Sequence, residues 1–241
     1  HYMRVESIVI VGGGSSGWMA AAMLSKTFPH MQIGLIEDDQ GPIGVGESTL
    51  GHFNRFLRRM GLEDKEWMPH CNATYKTSIA FKNFRDGKGE RFQYPFGEFD
   101  LFDYKDSLLR YFELGCKYGV DKYPPEKFAN FANTNTYLAD QCKISADPIP
   151  ESTYDSDRDT AYHFDAGLFG NYLRDHHCIP NGVLHLKGKI EKVMKNPDGS
   201  IDSLVTTQDG LIKADLYIDC TGFQSLLLEQ HMGSEFISFK D

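Results

Sequence analysis

Near the start of the chain, Ile8-Val9-Ile10-Val11 is apolar without any polar alternation, which predicts a short strand covered on both faces. The small residues Gly12-Gly13-Gly14-Ser15-Ser16-Gly17 follow, and then Trp18-Met19-Ala20-Ala21-Ala22-Met23-Leu24, which predicts a helix. A second apolar strand, Ile33-Gly34-Leu35-Ile36, stops at Glu37. Beyond a second glycine-rich stretch, Gly41 to Thr49, apolar residues at Leu50, Phe53, Leu57 and Met60 have helical spacing. Cys71 to Phe81 changes to a period of two, with Tyr75, Thr77, Ile79 and Phe81 on one face and Lys76, Ser78, Ala80 and Lys82 on the other. Phe92-Gln93-Tyr94-Pro95-Phe96-Gly97 reads as an aromatic turn, and Ala166 to His177 as a helix. The last third predicts a three-strand meander: Val183 to Lys195, Ile201 to Thr207, and Leu211 onward, with turns at Pro197-Asp198-Gly199 and Asp209-Gly210. It leads into an apolar strand, Leu216 to Asp219, the small-residue turn Cys220-Thr221-Gly222, and a helix from about Ser225.

The first strand, glycine turn and helix carry specific chemistry. Gly12 makes the tight turn, Gly14 lets backbone approach a pyrophosphate, and Gly17 lets helix pack closely on strand, with the phosphates at the positive end of the helix. Glu37, 20 residues beyond Gly17 at the end of the second strand, is placed to accept both ribose hydroxyls, so an adenine dinucleotide is expected. A nicotinamide enzyme would continue alternating strand and helix. Here the second glycine-rich loop intervenes instead, and it is suited to laying backbone N–H groups against a flavin. The return through a meander is similar to flavoproteins of the glutathione-reductase type. The expected fold is therefore α/β, a glutathione-reductase-like FAD-binding fold of parallel sheet plus three-stranded β-meander. Residues 1–65 would form its first part, residues 66–160 an inserted region facing substrate and flavin, and residues 161–241 the return.

Charge narrows the class further. Over 241 residues, 25 Lys and Arg against 34 Asp and Glu give a net charge of −9, which argues against nucleic-acid or anionic-membrane surfaces. No apolar stretch approaches the roughly 18 residues of a membrane span. Aromatic residues make up 13% of the chain, enough for an aromatic-lined pocket. Five cysteines, odd in number and never in a C-x-x-C arrangement, indicate neither a disulfide framework nor a zinc site, so a reducing cytoplasm is expected. No metal site is expected at His176-His177, which lacks further ligands at suitable spacing, and Ser48 lacks the G-x-S-x-G of a hydrolase elbow. His163 and Asp165 read as hydrogen-bonded structural residues. His1-Tyr2 ahead of Met3 reads as an expression remnant.

Gly12 to Ala21, Gly44-Val45-Gly46-Glu47-Ser48-Thr49, Cys71 to Phe81, Tyr94-Pro95-Phe96-Gly97, Ala161 to Ala166 and Asp219-Cys220-Thr221-Gly222-Phe223 occur in the order found in flavin-dependent halogenases of the tryptophan type. The Trp-Met after the third glycine and the Tyr-Lys pair followed by Ile-x-Phe are specific to that group, and the resemblance runs the whole length of the chain. It implies that reduced FAD, delivered by a separate flavin reductase, forms a hydroperoxide with oxygen; halide attacks it, and the hypohalous acid travels through a tunnel to a lysine beside an aromatic, indole-like substrate. Lys76 matches that lysine. Gly12, Gly14, Ser15, Ser16 and Gly17 match the pyrophosphate contacts, Glu37 the ribose, Glu47, Ser48 and Thr49 the flavin side, Ile190 a backbone contact at the adenine end, and Phe96 a substrate-stacking ring. Homodimer formation is left open.

The chain also departs from the pattern. The W-x-W-x-I-P signature, the catalytic glutamate and the halide loop are not found before Asp241, so the expectation is an N-terminal part of a longer protein. Phe84 stands where tryptophan is common in that group and Pro95 where relatives that bind free tryptophan often vary, which leaves the substrate open. A single-component aromatic hydroxylase and a non-catalytic FAD-binding fragment remain as alternatives.

Overall fold

In the computed structural model, which describes residues 4–38, 44, 46–97, 104–145 and 155–239, Ile8, Val9, Ile10 and Val11 are all at most 5% exposed. They form most of β1 (Ser7–Val11), followed by α1 (Ser15–Thr27), β2 (Gln32–Glu37) and β3 (Gly46–Ser48). Next come α2 (His52–Met60), α3 (Asp64–Trp67), β4 (Thr74–Lys76), β5 (Ser78–Lys82) and β6 (Arg91–Pro95). Helices α4 (Tyr104–Tyr118), α5 (Phe128–Ala132), α6 (Thr134–Asp140) and α7 (Ser156–Asp159) precede β7 (Ala161–Asp165) and α8 (Ala166–Leu173). The chain closes with β8 (Leu184–Lys187), β9 (Ile190–Lys195), β10 (Ile201–Thr206), β11 (Gly210–Ile212) and β12 (Leu216–Asp219). Residues Gly41, Pro42, Ile43 and Val45 of the second glycine-rich loop, and the terminal residues 1–3 and 240–241, lie outside the described residues.

The chain divides into two compact units, residues 1–47, 59–72 and 164–241 in one and residues 48–58 and 73–163 in the other. The breaks at 72/73 and 163/164 differ from the sequence boundaries at 65/66 and 160/161. Trp67 is the reason at the first: it is fully buried against the Phe164 and Phe169 rings, so its segment stays with the first unit. Residues 48–58 go with the second unit because Asn54 donates to the Asp157 and Thr160 carbonyls and Arg58 pairs with Asp157.

In the first unit the parallel sheet has the order β12-β1-β2-β8, and the two inner strands are the two continuous apolar runs. One face is covered by α1, which buries Gly17, Trp18, Ala21, Ala22 and Ser25 as a single helical stripe, and α8 packs against α1. The other carries the antiparallel meander β9-β10-β11, where Val193 and Leu204 pack with Val9, Val11, Ile36 and Leu227. The expected first meander strand, Val183 to Lys195, is two strands: at Gly188, whose φ of +145° suits glycine, the chain leaves the parallel sheet for the meander. The expected helix Ala166 to His177 narrows to α8, followed by a wide π-type turn, Arg174–Cys178; a similar turn, Leu226–His231, replaces the regular helix expected from Ser225.

In the second unit Cys71 to Phe81 is not one strand. β4 pairs with β7, with Lys76 opposite Ala161; β5 pairs with β6, with Ser78 opposite Pro95. The change of partner falls at Thr77, whose carbonyl accepts the Phe96 N–H. Phe92 to Pro95, expected as a turn, is therefore paired strand. The reversal lies upstream at Asn83 to Glu90, where Asn83, Gly87 and Gly89 have positive φ.

Candidate functional site

At the carboxyl ends of the parallel strands, the first unit holds a cleft of about 740 Å³. Gly12, Gly14, Ser15, Ser16, Glu37, Glu47 and Ile190 line it, joined by Lys189, Cys220, Thr221, Phe223 and Gln224. Gly12 has φ +113°, and a Cβ there would overlap the Cys220 carbonyl; a Cβ on Gly17 would overlap the Gly12 carbonyl oxygen. Both glycines are demanded by packing, and Gly17 lies beneath the cleft, buried in α1.

Gly14 is different. Its φ of −76° suits any residue, and a Cβ there would meet nothing within 4 Å. A glycine required by neither backbone nor neighbours leaves room for a ligand to lie against the main chain. Directly after it α1 begins with no side-chain cap and no acidic residue in its first turn, so the N–H groups and positive dipole end are uncompensated where an anion would sit. These residues fit a dinucleotide pyrophosphate.

The far wall is fixed by Asp219. Its carboxylate accepts from the Thr221 hydroxyl and N–H and from the Leu227 and Leu228 N–H groups, tying β12 to the turn that follows. Burial pushes this carboxyl up, but the hydrogen bonds from Thr221, Leu228 and Leu227 outweigh it and hold the pKa below the usual carboxylate value. In the sequence Asp219 to Gly222 is legible as a small-residue turn and as a motif of the family pattern, but not as a cleft wall, and nothing there marks Lys189. The signal available was the small-residue turn after an apolar strand, which resembles the turn after β1.

Lys76 is in the second unit, and it is not a solvated charge. It is 9% exposed; Nζ donates to Ser48 Oγ at 3.0 Å and to the Thr49 carbonyl at 2.9 Å, and it stands 5.3 Å from the centre of the Phe96 ring. Among the described residues no carboxylate forms an ion pair with it. Burial pushes its pKa down, which eases loss of a proton from the ammonium. Ser48 and Thr49, expected on the flavin side, are thus gathered around the lysine. The Thr49 hydroxyl is also engaged with the Tyr162 main chain as both donor and acceptor. Phe96 is held by its N–H on the Thr77 carbonyl and by its own carbonyl, which accepts from the buried Asn135 amide at 3.0 Å.

The buried thiols of Cys71 and Cys178 are poor nucleophiles: burial, then Asp165, pushes Cys71 up to about 12, and burial does the same to Cys178. His176 and His177 pack at a tilt against Tyr172 near His70, and among the described residues no group of three or more His, Cys, Asp or Glu side chains is arranged to hold a metal. Among those residues, too, no helix is long and apolar enough to cross a membrane.

Known proteins are similar to this chain in sequence and in fold. The 7-chloro-L-tryptophan 6-halogenase KtzR of Kutzneria sp. (strain 744) is 33% identical over 97% of this chain and 48% of its own length. The tryptophan 7-halogenase RebH of Lentzea aerocolonigenes is 31% identical over 99% of this chain and 46% of its own. Among solved structures, apo VirX1 superposes with a TM-score of 0.88 at 51% identity, covering 98% of this chain and 46% of that one. Xcc4156, a flavin-dependent halogenase from Xanthomonas campestris, gives a TM-score of 0.81 at 32% identity, covering 96% and 45%. The chain spans about half the length of the curated relatives it matches. With the sequence model described as tryptophan halogenase matching residues 7–241, the chain belongs to the tryptophan halogenase family.

Proposed function

We propose that the protein containing this chain is an FADH2-dependent halogenase of an electron-rich, indole-like aromatic substrate, with the first unit as a glutathione-reductase-type FAD-binding fold. Reduced FAD, when bound, supplies the chemistry that turns oxygen, halide and a proton into hypohalous acid and water. The residues of the chain do the rest. Gly12 to Ser16 and the N-terminus of α1 bind the pyrophosphate, Glu37 accepts the ribose hydroxyls, and Glu47 and Ile190 line the same cleft. Lys76 holds hypohalous acid, as a hydrogen-bond donor to its oxygen or as an amine that takes the halogen with loss of water. The aromatic ring gives up a proton and takes the halogen, so hypohalous acid and arene become haloarene and water. Phe96 orients that ring by stacking. A separate cytoplasmic reductase supplies FADH2.

The observation that carries this reading is the buried Lys76 ammonium, bonded to neutral oxygens and facing Phe96. An oxygen-transferring hydroxylase has no use for such an amine. The test is Lys76→Ala in the full-length protein, supplied with reduced FAD, oxygen, bromide and an indole. Brominated product should vanish while flavin reoxidation continues and peroxide or free hypobromite is released. Bromination at a single ring position by the variant would overturn the assignment, and hydroxylated indole from the unaltered protein would favour the hydroxylase.

A further inference from the structure

The parallel register places His185 of β8 beside Leu35 of β2, on the sheet face where Leu35 meets α1, and Glu37 two residues on shares that face. His185 Nε2 lies 2.7 Å from Glu37 Oε1, with the two side chains 16% and 17% exposed. The imidazole is also held from α1: its ring meets the fully buried Trp18 indole edge-on, centroids 5.0 Å apart. Because an ionised carboxylate only accepts, Nε2 carries the proton, and the contact fixes the tautomer.

This pairing orients the carboxylate in advance. Oε1 is bonded to His185, and Oε2 lies over Gly13, where a side chain on that glycine would begin. The neighbouring guanidinium, Arg174, does not compete for Glu37, since its Nε and one terminal nitrogen bind Asp175 at 2.7 and 2.9 Å. Glu37 lines the cleft; among the described residues His185 is not part of the wall, so it acts on a ligand only through Glu37.

We infer that His185 is a positioning residue for dinucleotide recognition, holding the Glu37 carboxylate over the glycine loop so that it accepts the hydroxyls of the ribose next to the adenine. The inference rests on the reading of Glu37 as the ribose acceptor. The imidazole makes two separable contacts, and two substitutions divide them: His185→Phe keeps a ring against Trp18 and removes the donor, whereas His185→Gln keeps a donor at similar reach and removes the ring.

The experiment is a fluorescence titration of the full-length protein with oxidised FAD and with an FAD analogue lacking the adenosine 2′-hydroxyl. His185→Phe should bind FAD about tenfold more weakly, the loss of one charge-assisted hydrogen bond, and should lose most of the preference for FAD over the deoxy analogue. His185→Gln should keep both affinity and preference near those of the unaltered protein. The reverse pattern, with His185→Phe unchanged and His185→Gln weakened, would show that the ring only packs, and would overturn the inference. Glu37→Gln serves as control: weakened FAD binding in it, with His185→Phe unchanged, discards His185 alone, whereas unchanged FAD binding in Glu37→Gln discards the ribose reading and the inference with it.

Discussion

The Lys76 ammonium faces the Phe96 ring at 5.3 Å, on the ring's cation-attracting side. The identity of that ring matters for the chemistry proposed. On the proposed reading a group that delivers electrophilic halogen sits beside an aromatic wall, and phenylalanine is a far poorer target for electrophilic substitution than a phenol or an indole. Phe96 can stack on a substrate without being consumed.

Phe96→Tyr should therefore make the protein halogenate itself. During turnover with bromide and no added substrate, peptide mass spectrometry should find bromine in place of hydrogen on the peptide containing residue 96, and Lys76→Ala in the same background should abolish it. An unmodified tyrosine at full flavin turnover would separate Phe96 from the halogenating step.

Lys76 also predicts a pH signature. Its folded pKa is lowered by burial from the model-compound value of 10.5, so the unfolded chain binds more protons between the two values. The charged form opposes folding fully below the folded pKa, and this penalty disappears as pH rises through the unfolded one. Lys76→Met should thus be more stable than the unaltered protein at pH 7, and the difference should shrink toward pH 10.5 in thermal melts. A gap independent of pH would mean that the lysine is no harder to charge in the folded state than in the unfolded one.

The two glycines that bracket the start of α1 should respond differently to alanine. Gly17→Ala drives a methyl into the Gly12 carbonyl and should cost about 1–3 kcal/mol, visible as a fall of several degrees in the melting temperature. Gly14→Ala meets no protein atom, so stability should hold while FAD affinity falls. Equal melting temperatures and equal FAD affinities for both variants would contradict the assignment of pyrophosphate to this loop.

In the function proposed, a separate reductase supplies FADH2 and the Gly12 to Gly17 fingerprint serves FAD itself. Bound FAD should accordingly be reduced slowly by NADPH alone and rapidly once a reductase is added. Stopped-flow absorbance would reveal direct reduction at catalytic rates, the result that promotes the hydroxylase.

The features legible in the sequence are those encoded over a few neighbouring residues. The two apolar runs announce the inner strands, and the glycine spacing announces the turn between β1 and α1, because each pattern specifies its own local geometry. Lys76 is the opposite case. On local grounds a strand lysine is solvated, and its burial depends on Ser48 and Thr49, 28 and 27 residues earlier in the chain; only the family resemblance singled it out. The partner switch at Thr77 and the role of His185 are hidden for the same reason, since both depend on which strands become neighbours, and periodicity carries no record of that.

The order β12-β1-β2-β8 also has a consequence for synthesis. Ser7 meets Asp215 across 208 residues, so β1 leaves the ribosome long before its partner β12 exists. At about 5–20 residues per second the delay is on the order of 10 to 40 s, during which Ile8 to Val11 present an unpaired apolar edge. Nascent chains of this protein should therefore depend on a holding chaperone until β12 emerges, and slowing translation should lower the soluble yield rather than raise it.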